Sequence, residues 1–250
     1  MTHAIFVTVR TGSTRLPNKA LLEVSPGTRA IDFLLRRLTH TTRADLTVLC
    51  TTTLPEDDIL AEIGREHGIS VFRGSVEDKL ERWLGAAREN GVDLFVTADG
   101  DDLLCDPGLI DAGLEMLADE PIDFVECPDV PCGAFTYGIR VEALSRACDL
   151  KKTTDTEMMW VYFKETGIFR TTRLVIADAA LRRPTYRLTL DYPEDLEFFR
   201  KVIAHFKGRV DPSLGEIVSY LDTHPEVLAI NAFRQFDFLS NQARRTHLEV

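Results

Sequence analysis

Short runs of apolar and β-branched residues recur along the first half of the chain, at 5–9, 46–51, 69–72, 94–97 and 124–126, with helical patterns between them. Runs of this kind lack the polar and apolar alternation of a sheet with one wet face. They therefore predict strands buried on both sides. Residues 31–38 have apolar side chains at helical spacing behind Thr28, a predicted N-cap, and Pro55 with Glu56, Asp57 and Asp58 starts a helix that stops at Gly68. Ser75 is placed to cap a further helix over 77–89, ending before Gly91, and Asp106-Pro107 opens another. Strands alternating with helices at this spacing need crossover connections, which build a mostly parallel sheet covered by helices. The expected fold class is α/β.

The rhythm changes at Pro128. Pro128, Pro131, Cys132 and Gly133 break the pattern, and 135–140 and 170–176 read as longer strands flanking two helical stretches. Residues 128–183 are therefore expected to form an inserted lobe with antiparallel character. Residues 187–190 return to a buried strand, Pro193 sits at the first position of a helix over 193–205, and 214–221 is a further helix. The tail from Arg234 is polar, with Phe236, Phe238 and Leu239 as docking points.

Composition removes several classes of function. The chain carries 29 Lys+Arg against 40 Asp+Glu, a formal net charge of -11, which argues against general affinity for nucleic acid or an anionic membrane surface. Its five cysteines are scattered and never form C-x-x-C, as expected of reduced thiols. No basic and apolar leader opens the sequence, and no apolar run approaches the roughly 18 residues of a membrane span. A cytoplasmic protein without membrane partners is expected.

Against this acidic background stands a cationic loop. Residues 7–19, V-T-V-R-T-G-S-T-R-L-P-N-K, run from a strand into a turn with Arg10, Arg15 and Lys19 beside Gly12 and small hydroxyls. Gly12 permits close backbone approach, while the cations suit a polyphosphate. Neither a P-loop nor a dinucleotide glycine fingerprint is present. Two acidic sites fall at other strand ends: Asp99, Asp101 and Asp102 after 94–97, and Asp191 after 187–190. Carboxylates this close repel unless a cation neutralises them, and hard oxygen ligands suit Mg2+. Glu194 and Asp195 are accounted for by the helix dipole. A cationic loop facing carboxylates from two strand ends is the arrangement that metal-assisted phosphoryl or nucleotidyl transfer needs. Arg73 lies at another strand end. None of the six histidines has a partner at zinc spacing, and no G-x-S-x-G elbow supports a hydrolase.

These residues resemble the sugar cytidylyltransferase family, which includes the acylneuraminate and 3-deoxy-manno-octulosonate cytidylyltransferases, and most closely its spore-coat polysaccharide biosynthesis protein F group. The similarity rests on R-T-G-S-T-R-L-P-N-K, V-F-R-G-S-V-E-D-K-L-E-R-W at 71–83, T-A-D-G-D-D-L-L-C-D-P at 97–107, L-D-Y-P-E-D-L-E at 190–197, and H-P-E-V-L-A-I-N ending at Asn231. It implies a nucleotide-diphospho-sugar transferase fold of the GT-A type, with CTP as substrate and Mg2+ as cofactor. By position, Val9, Arg10, Thr11, Gly12, Ser13, Arg15 and Lys19 would cradle the triphosphate, and Arg73 would lie near the base or ribose. Asp101 and Asp191 would bind the metal, with Asp99 the alternative to Asp101. Lys19, Arg15, Asp101 and Asp191 would then be catalytic.

The resemblance also implies a single domain over 1–250. Its nucleotide-binding half would be 1–127, its acceptor and dimerisation lobe 128–183, its return strand and last helices 184–231, and its tail 232–250, in a homodimer. The acceptor would be an acidic sugar or a phosphate- or phosphonate-bearing molecule, for a surface polysaccharide or a related product. This sequence departs from the family at Leu103, where proline is usual, at 134–137 after Gly133, where acidic residues are usual, and at Tyr192, where threonine is usual. Arg140, Arg173, Arg182, Arg183 and Arg187 are basic residues that could meet an anionic acceptor. A nucleotide-binding protein without turnover, or a glycosyltransferase using a preformed nucleotide sugar, are the alternatives.

Overall fold

A computed structural model describes residues 1–246 and 248–250. Its centre is a seven-stranded sheet built from β1 (His3–Thr8), β4 (Leu46–Thr52), β5 (Ser70–Gly74), β6 (Leu94–Asp99), β7 (Phe124–Glu126), β8 (Tyr137–Arg140) and β9 (Thr171–Arg173), in the order β5-β4-β1-β6-β8-β7-β9. β5, β4, β1 and β6 are parallel, as the buried runs predict. β8 is antiparallel to both β6 and β7, and β9 is parallel to β7. The segment 128–183 thus contributes its strands to the same sheet. A separate antiparallel ribbon pairs β2 (Glu23–Ser25) with β3 (Thr28–Arg29).

Helices cover both faces. On one side lie α1 (Ala30–Leu38), α2 (Asp58–Glu66), α4 (Pro107–Asp119), α7 (Pro193–His205) and α8 (Leu214–Thr223), whose apolar faces meet Ile5, Val7 and Val96 in one core. On the other lie α3 (Lys79–Asn90), α5 (Val141–Leu150) and α6 (Trp160–Lys164), packed on Phe6, Phe95 and Phe124 in a second. Phe6 and Phe95 stack at 4.3 Å between ring centroids, a contact across neighbouring strands that fixes the β1–β6 pairing. The short α9 (Pro225–Leu228) leads to α10 (Arg234–Arg245).

Several local expectations need correction. Thr28 does not cap α1; it belongs to the β2–β3 ribbon, and Arg29 at the cap position makes no side-chain cap bond. The cap of α3 is Asp78, which accepts from Glu81 N, while Ser75 Oγ accepts one turn earlier from Asp78 N. Residues 187–190 are extended but form no ladder. They make a single bridge, Cys132 with Arg187, together with Leu188 N to Cys132 O at 2.7 Å and Leu190 N to Asp101 O at 2.9 Å. The tail is helical in α10, and Phe236 on it is 77% exposed, so it is not a docking point.

β1, β4 and β5 proceed outward in chain order, and the chain then returns to place β6 on the opposite side of β1. Between β1 and β6, successive connections leave in opposite directions, and such a switch opens a crevice at the carboxyl ends of the strands. Thr8 pairs with Asp99 there, and Gly100 N donates to Thr8 O at 2.8 Å. A Cβ at Gly100 would lie 2.6 Å from Val9 Cβ, so only glycine lets the acidic turn fold this tightly against the cationic loop.

Candidate active site

The crevice is a cleft of about 850 Å3, towards the upper end of the roughly 300–1,000 Å3 usual for small-molecule sites. The loop after β1 forms one wall. Asp57, almost fully buried, anchors it by accepting from Thr11 N and Thr11 Oγ, both at 2.7 Å. Thr11 is thereby structural and does not line the cleft, whereas Val9, Arg10, Gly12, Ser13, Arg15 and Lys19 do. Nothing lies within 4 Å of a Cβ built on Gly12, so its backbone faces open space.

The acidic turn after β6 forms the opposite wall. Lys19 Nζ bonds the Asp101 carboxylate and reaches Asp191 Oδ1 at 2.8 Å, while Arg15 reaches the same Asp191 oxygen at 2.5 Å. One ammonium therefore bridges carboxylates that lie 90 residues apart in the sequence (191 − 101). Asp99 also lines the cleft and is bound there by Lys79 Nζ at 3.0 Å. Asp102 is buried, accepts from Thr136 Oγ at 3.0 Å, and meets the cleft wall beside Asp101. Gly133, at φ +91, is needed beside it, because a Cβ there would sit 2.3 Å from Leu188 O.

Charge and burial set the protonation behaviour. Burial works to raise the Asp191 pKa, but Lys19 and Arg15 outweigh it and hold this carboxyl well below the usual range. Burial, reinforced by the charges of Asp191 and Asp99, raises Asp101 in spite of Lys19. Lys19 is itself shifted up, because the attraction of Asp101 and Asp191 exceeds the desolvation that opposes it. The site is neutralised by its own cations. If those cations turn to a triphosphate, Asp101 and Asp191 need another positive charge, and their oxygen donors suit a hard divalent ion. The place that Lys19 Nζ occupies between them already accommodates a cation.

Behind Asp191 is a buried network that the residue pattern alone does not reveal. Arg187, fully buried, donates to Asp195 Oδ1 and Oδ2, both at 2.9 Å, and to Asp191 Oδ2 at 3.0 Å. Asn231 Nδ2 completes the set by donating to Asp195 Oδ1 at 2.9 Å, and the Asp195 carboxylate also accepts from the backbone N–H groups of Asp191 and Tyr192. Asp195 thus does more than meet the helix dipole: it fixes the turn from which Asp191 projects.

The other expected arginines point away from the cleft. Arg73 spends its guanidinium on Thr52 O, Leu54 O and Asp58, so it does not reach a nucleotide in this arrangement. Arg140 bonds backbone carbonyls of Leu117, Glu120 and Ile122, Arg173 pairs with Glu126, Arg182 with Ile176 O, and Arg183 with Asp222. Three cleft-lining cations, Lys79, Arg82 and Arg245, escaped the sequence reading. Lys79 follows the Asp78 cap at the first position of α3, a signal that was legible, and Arg245 ends α10. Among the described residues the acidic turn is the one cluster of potential metal ligands; His247 lies outside them.

Residues 4–219 match the family model described as cytidylyltransferase. The chain is 31% identical over 247 residues to an uncharacterized protein of Methanocaldococcus jannaschii, covering 98% of this chain and 97% of that one. It is 26% identical over 226 residues to the spore coat polysaccharide biosynthesis protein SpsF of Bacillus subtilis, covering 88% and 94%. A solved cytidylyltransferase from Leptospira borgpetersenii superposes with a TM-score of 0.83 at 27% identity, covering 91% of this chain and 97% of that one.

Proposed function

Because the chain belongs to the cytidylyltransferase family, a family of nucleotidyltransferase enzymes, we propose that it transfers CMP from CTP to a small anionic acceptor with Mg2+ as cofactor, releasing pyrophosphate. The observation that carries this reading is the Lys19 ammonium held between Asp101 and Asp191 at the mouth of the β1–β6 crevice. Asp101 and Asp191 are the residues that would hold the metal, which supplies charge neutralisation on the phosphate oxygens when bound.

The remaining chemistry belongs to this chain's own side chains. An acceptor oxygen attacks the α-phosphorus, the bond from that phosphorus to the bridging oxygen breaks, and pyrophosphate leaves. The acceptor hydroxyl, where one is used, loses its proton to solvent. Arg15 and Lys19 orient the triphosphate and take up charge as it moves to the leaving group, and Arg10 and Ser13 extend the same cradle. Arg187 and Asp195 keep Asp191 aimed. No covalent intermediate on the enzyme is required, since alignment in a preformed cleft supplies the acceleration. Residues 128–183 are assigned to one part of the acceptor side, and the product to polysaccharide biosynthesis, in line with the B. subtilis relative. The protein is also read as a cytoplasmic homodimer; among the described residues no helix is long and apolar enough to cross a membrane.

The test is pyrophosphate release from CTP, ATP, GTP and UTP across a panel of acidic sugars, phosphates and phosphonates, with and without Mg2+. Release that needs Mg2+, prefers CTP and depends on one acceptor class is expected. Consumption of a nucleotide sugar without pyrophosphate would overturn the reading.

A further inference from the structure

The arginines that the sequence offered for an anionic acceptor are all committed elsewhere, yet the cleft retains one guanidinium that is not. Of the arginines lining it, Arg10 is paired with Glu157 at 3.0 Å and Arg15 with Asp191 at 2.5 Å, while Arg82 is buried and donates to Ser75 O at 2.6 Å. Arg245 lines the cleft from the last turn of α10, is exposed, and among the described residues makes no hydrogen bond or ion pair. Gln242, three residues earlier and so on the same face of the helix, also lines the cleft, and its amide is likewise unengaged among the described residues.

α10 is held in place at both ends. At its start Arg234 pairs with Glu194 at 2.8 Å and with Asp237 at 2.9 Å, Phe238 lies against the Arg187 guanidinium, and Asn241 Nδ2 donates to Tyr192 Oη at 3.2 Å. Beyond its end, Glu249 O accepts from Lys152 N at 2.9 Å and Leu248 packs on the second core. The helix therefore crosses from the Asp191 turn to the α5–α6 side of the molecule. It presents Phe238 and Leu239, then Gln242 and Arg245, to the cleft. An apolar patch followed by a planar cation and an amide is the donor set that recognises a carboxylate or phosphate on a small organic molecule.

We propose that α10 is the acceptor-recognition wall of the cleft, with Arg245 and Gln242 binding the acceptor's anionic oxygen group while Phe238 and Leu239 contact its carbon skeleton. This rests on the cytidylyltransferase reading and assigns the acceptor's anchoring charge within it. Arg245 is a specificity residue here, with no part in the bond change.

The test compares wild type with Arg245→Glu and Arg244→Glu. Arg244 makes the same change in net charge from a position that does not line the cleft. Each protein is titrated with CTP, and then, with CTP and Mg2+ present, with galacturonate as the carboxylate probe and methylphosphonate as the phosphonate probe. Wild type is expected to bind one or both, the stronger probe identifying the acceptor's anion. Arg245→Glu should weaken that binding by roughly 10- to 100-fold, as expected for losing a hydrogen bond to a charged group, with CTP affinity within about twofold. Arg244→Glu should behave as wild type. The proposal is overturned if wild type binds neither probe, if Arg245→Glu binds them normally, if both variants lose binding equally, or if CTP affinity falls alongside. Failure of wild type to bind CTP would instead remove the underlying functional reading, so the two failures are distinguishable.

Discussion

Replacing Arg187 by Met tests whether the buried network behind the site is what fixes Asp191. The guanidinium and the Asp195 carboxylate are both fully buried, and Asp191 is 2% exposed at its side chain. Met preserves much of the arginine volume, so the loss is electrostatic: the contacts to Asp195 at 2.9 Å and to Asp191 at 3.0 Å disappear. Asp195 keeps Asn231 and two backbone donors but no charge partner. Removing one member of a buried ion pair costs about 3–5 kcal/mol, a large share of the roughly 5–15 kcal/mol by which domains are stable. Urea unfolding followed by far-UV circular dichroism at pH 7 would measure it, with Arg183→Met as the comparison. Arg183 pairs with Asp222 at the surface, so its loss should leave the unfolding midpoint unchanged. A deficit below about 1 kcal/mol in Arg187→Met, the scale of an exposed pair, would refute the network's role.

Other consequences are quicker to check. Lys19→Ala and Asp191→Asn should each lower turnover by roughly 10² or more with the far-UV spectrum unchanged, and near-normal turnover in either removes that residue from the mechanism. The folded pKa of Asp191 lies below its ordinary value of 3.8, so its stabilisation is present above that value and is lost as pH falls through the folded one. The stability gap between wild type and Lys19→Ala should accordingly be full at neutral pH and close in acid. Burial lifts the Cys50, Cys105, Cys132 and Cys148 thiols to about 12 and Cys127 to about 11; at pH 8 the native protein should react with a disulfide reagent far more slowly than the urea-unfolded chain. Fast labelling of the native thiols would contradict their placement. Arg73→Ala should leave the KM for CTP within about twofold if the guanidinium stays on the 52–58 loop, and a KM raised tenfold would return Arg73 to the nucleotide.

The parallel part of the sheet was legible because β1, β4 and β6 are buried on both faces, and that leaves an uninterrupted apolar run in each. Pro107 and Pro193 each stand at the start of the helix they announced, and Asp106 caps α4 as its sequence suggests. What failed depended on partners distant in the chain. Residues 187–190 look like a strand, but a ladder requires a neighbour with free backbone groups, and among the described residues they meet single contacts from Cys132, Asp101 and the Asn231 side chain instead. Arg187 carries no local sign of burial, since its environment comes from Asp195, Asp191 and Asn231 folding around it.

The site was readable to a similar extent. A cationic loop and two acidic strand ends were visible as residue types, and the switch between β1 and β6 brings Lys19, Asp101 and Asp191 to one point. Which member of the acidic turn faces Asp191 was not decidable from spacing, and it is Lys79 that separates the two by engaging Asp99. α10 was passed over because its side chains are polar or half-exposed and none is buried in a core. Its face towards the cleft became apparent only with the anchors at Glu194, Tyr192 and Lys152 in place.

In the proposed mechanism Asp101 and Asp191 would hold one divalent ion, and Lys19 would turn from them to the nucleotide. A crystal of the protein with a nonhydrolysable CTP analogue and Mn2+, with diffraction measured at the manganese edge, tests it most directly. One anomalous peak within ligand distance of both carboxylates and of a phosphate oxygen is expected, with Lys19 Nζ moved onto the triphosphate. A bound nucleotide with manganese away from either carboxylate, or with Lys19 still bridging them, would contradict it.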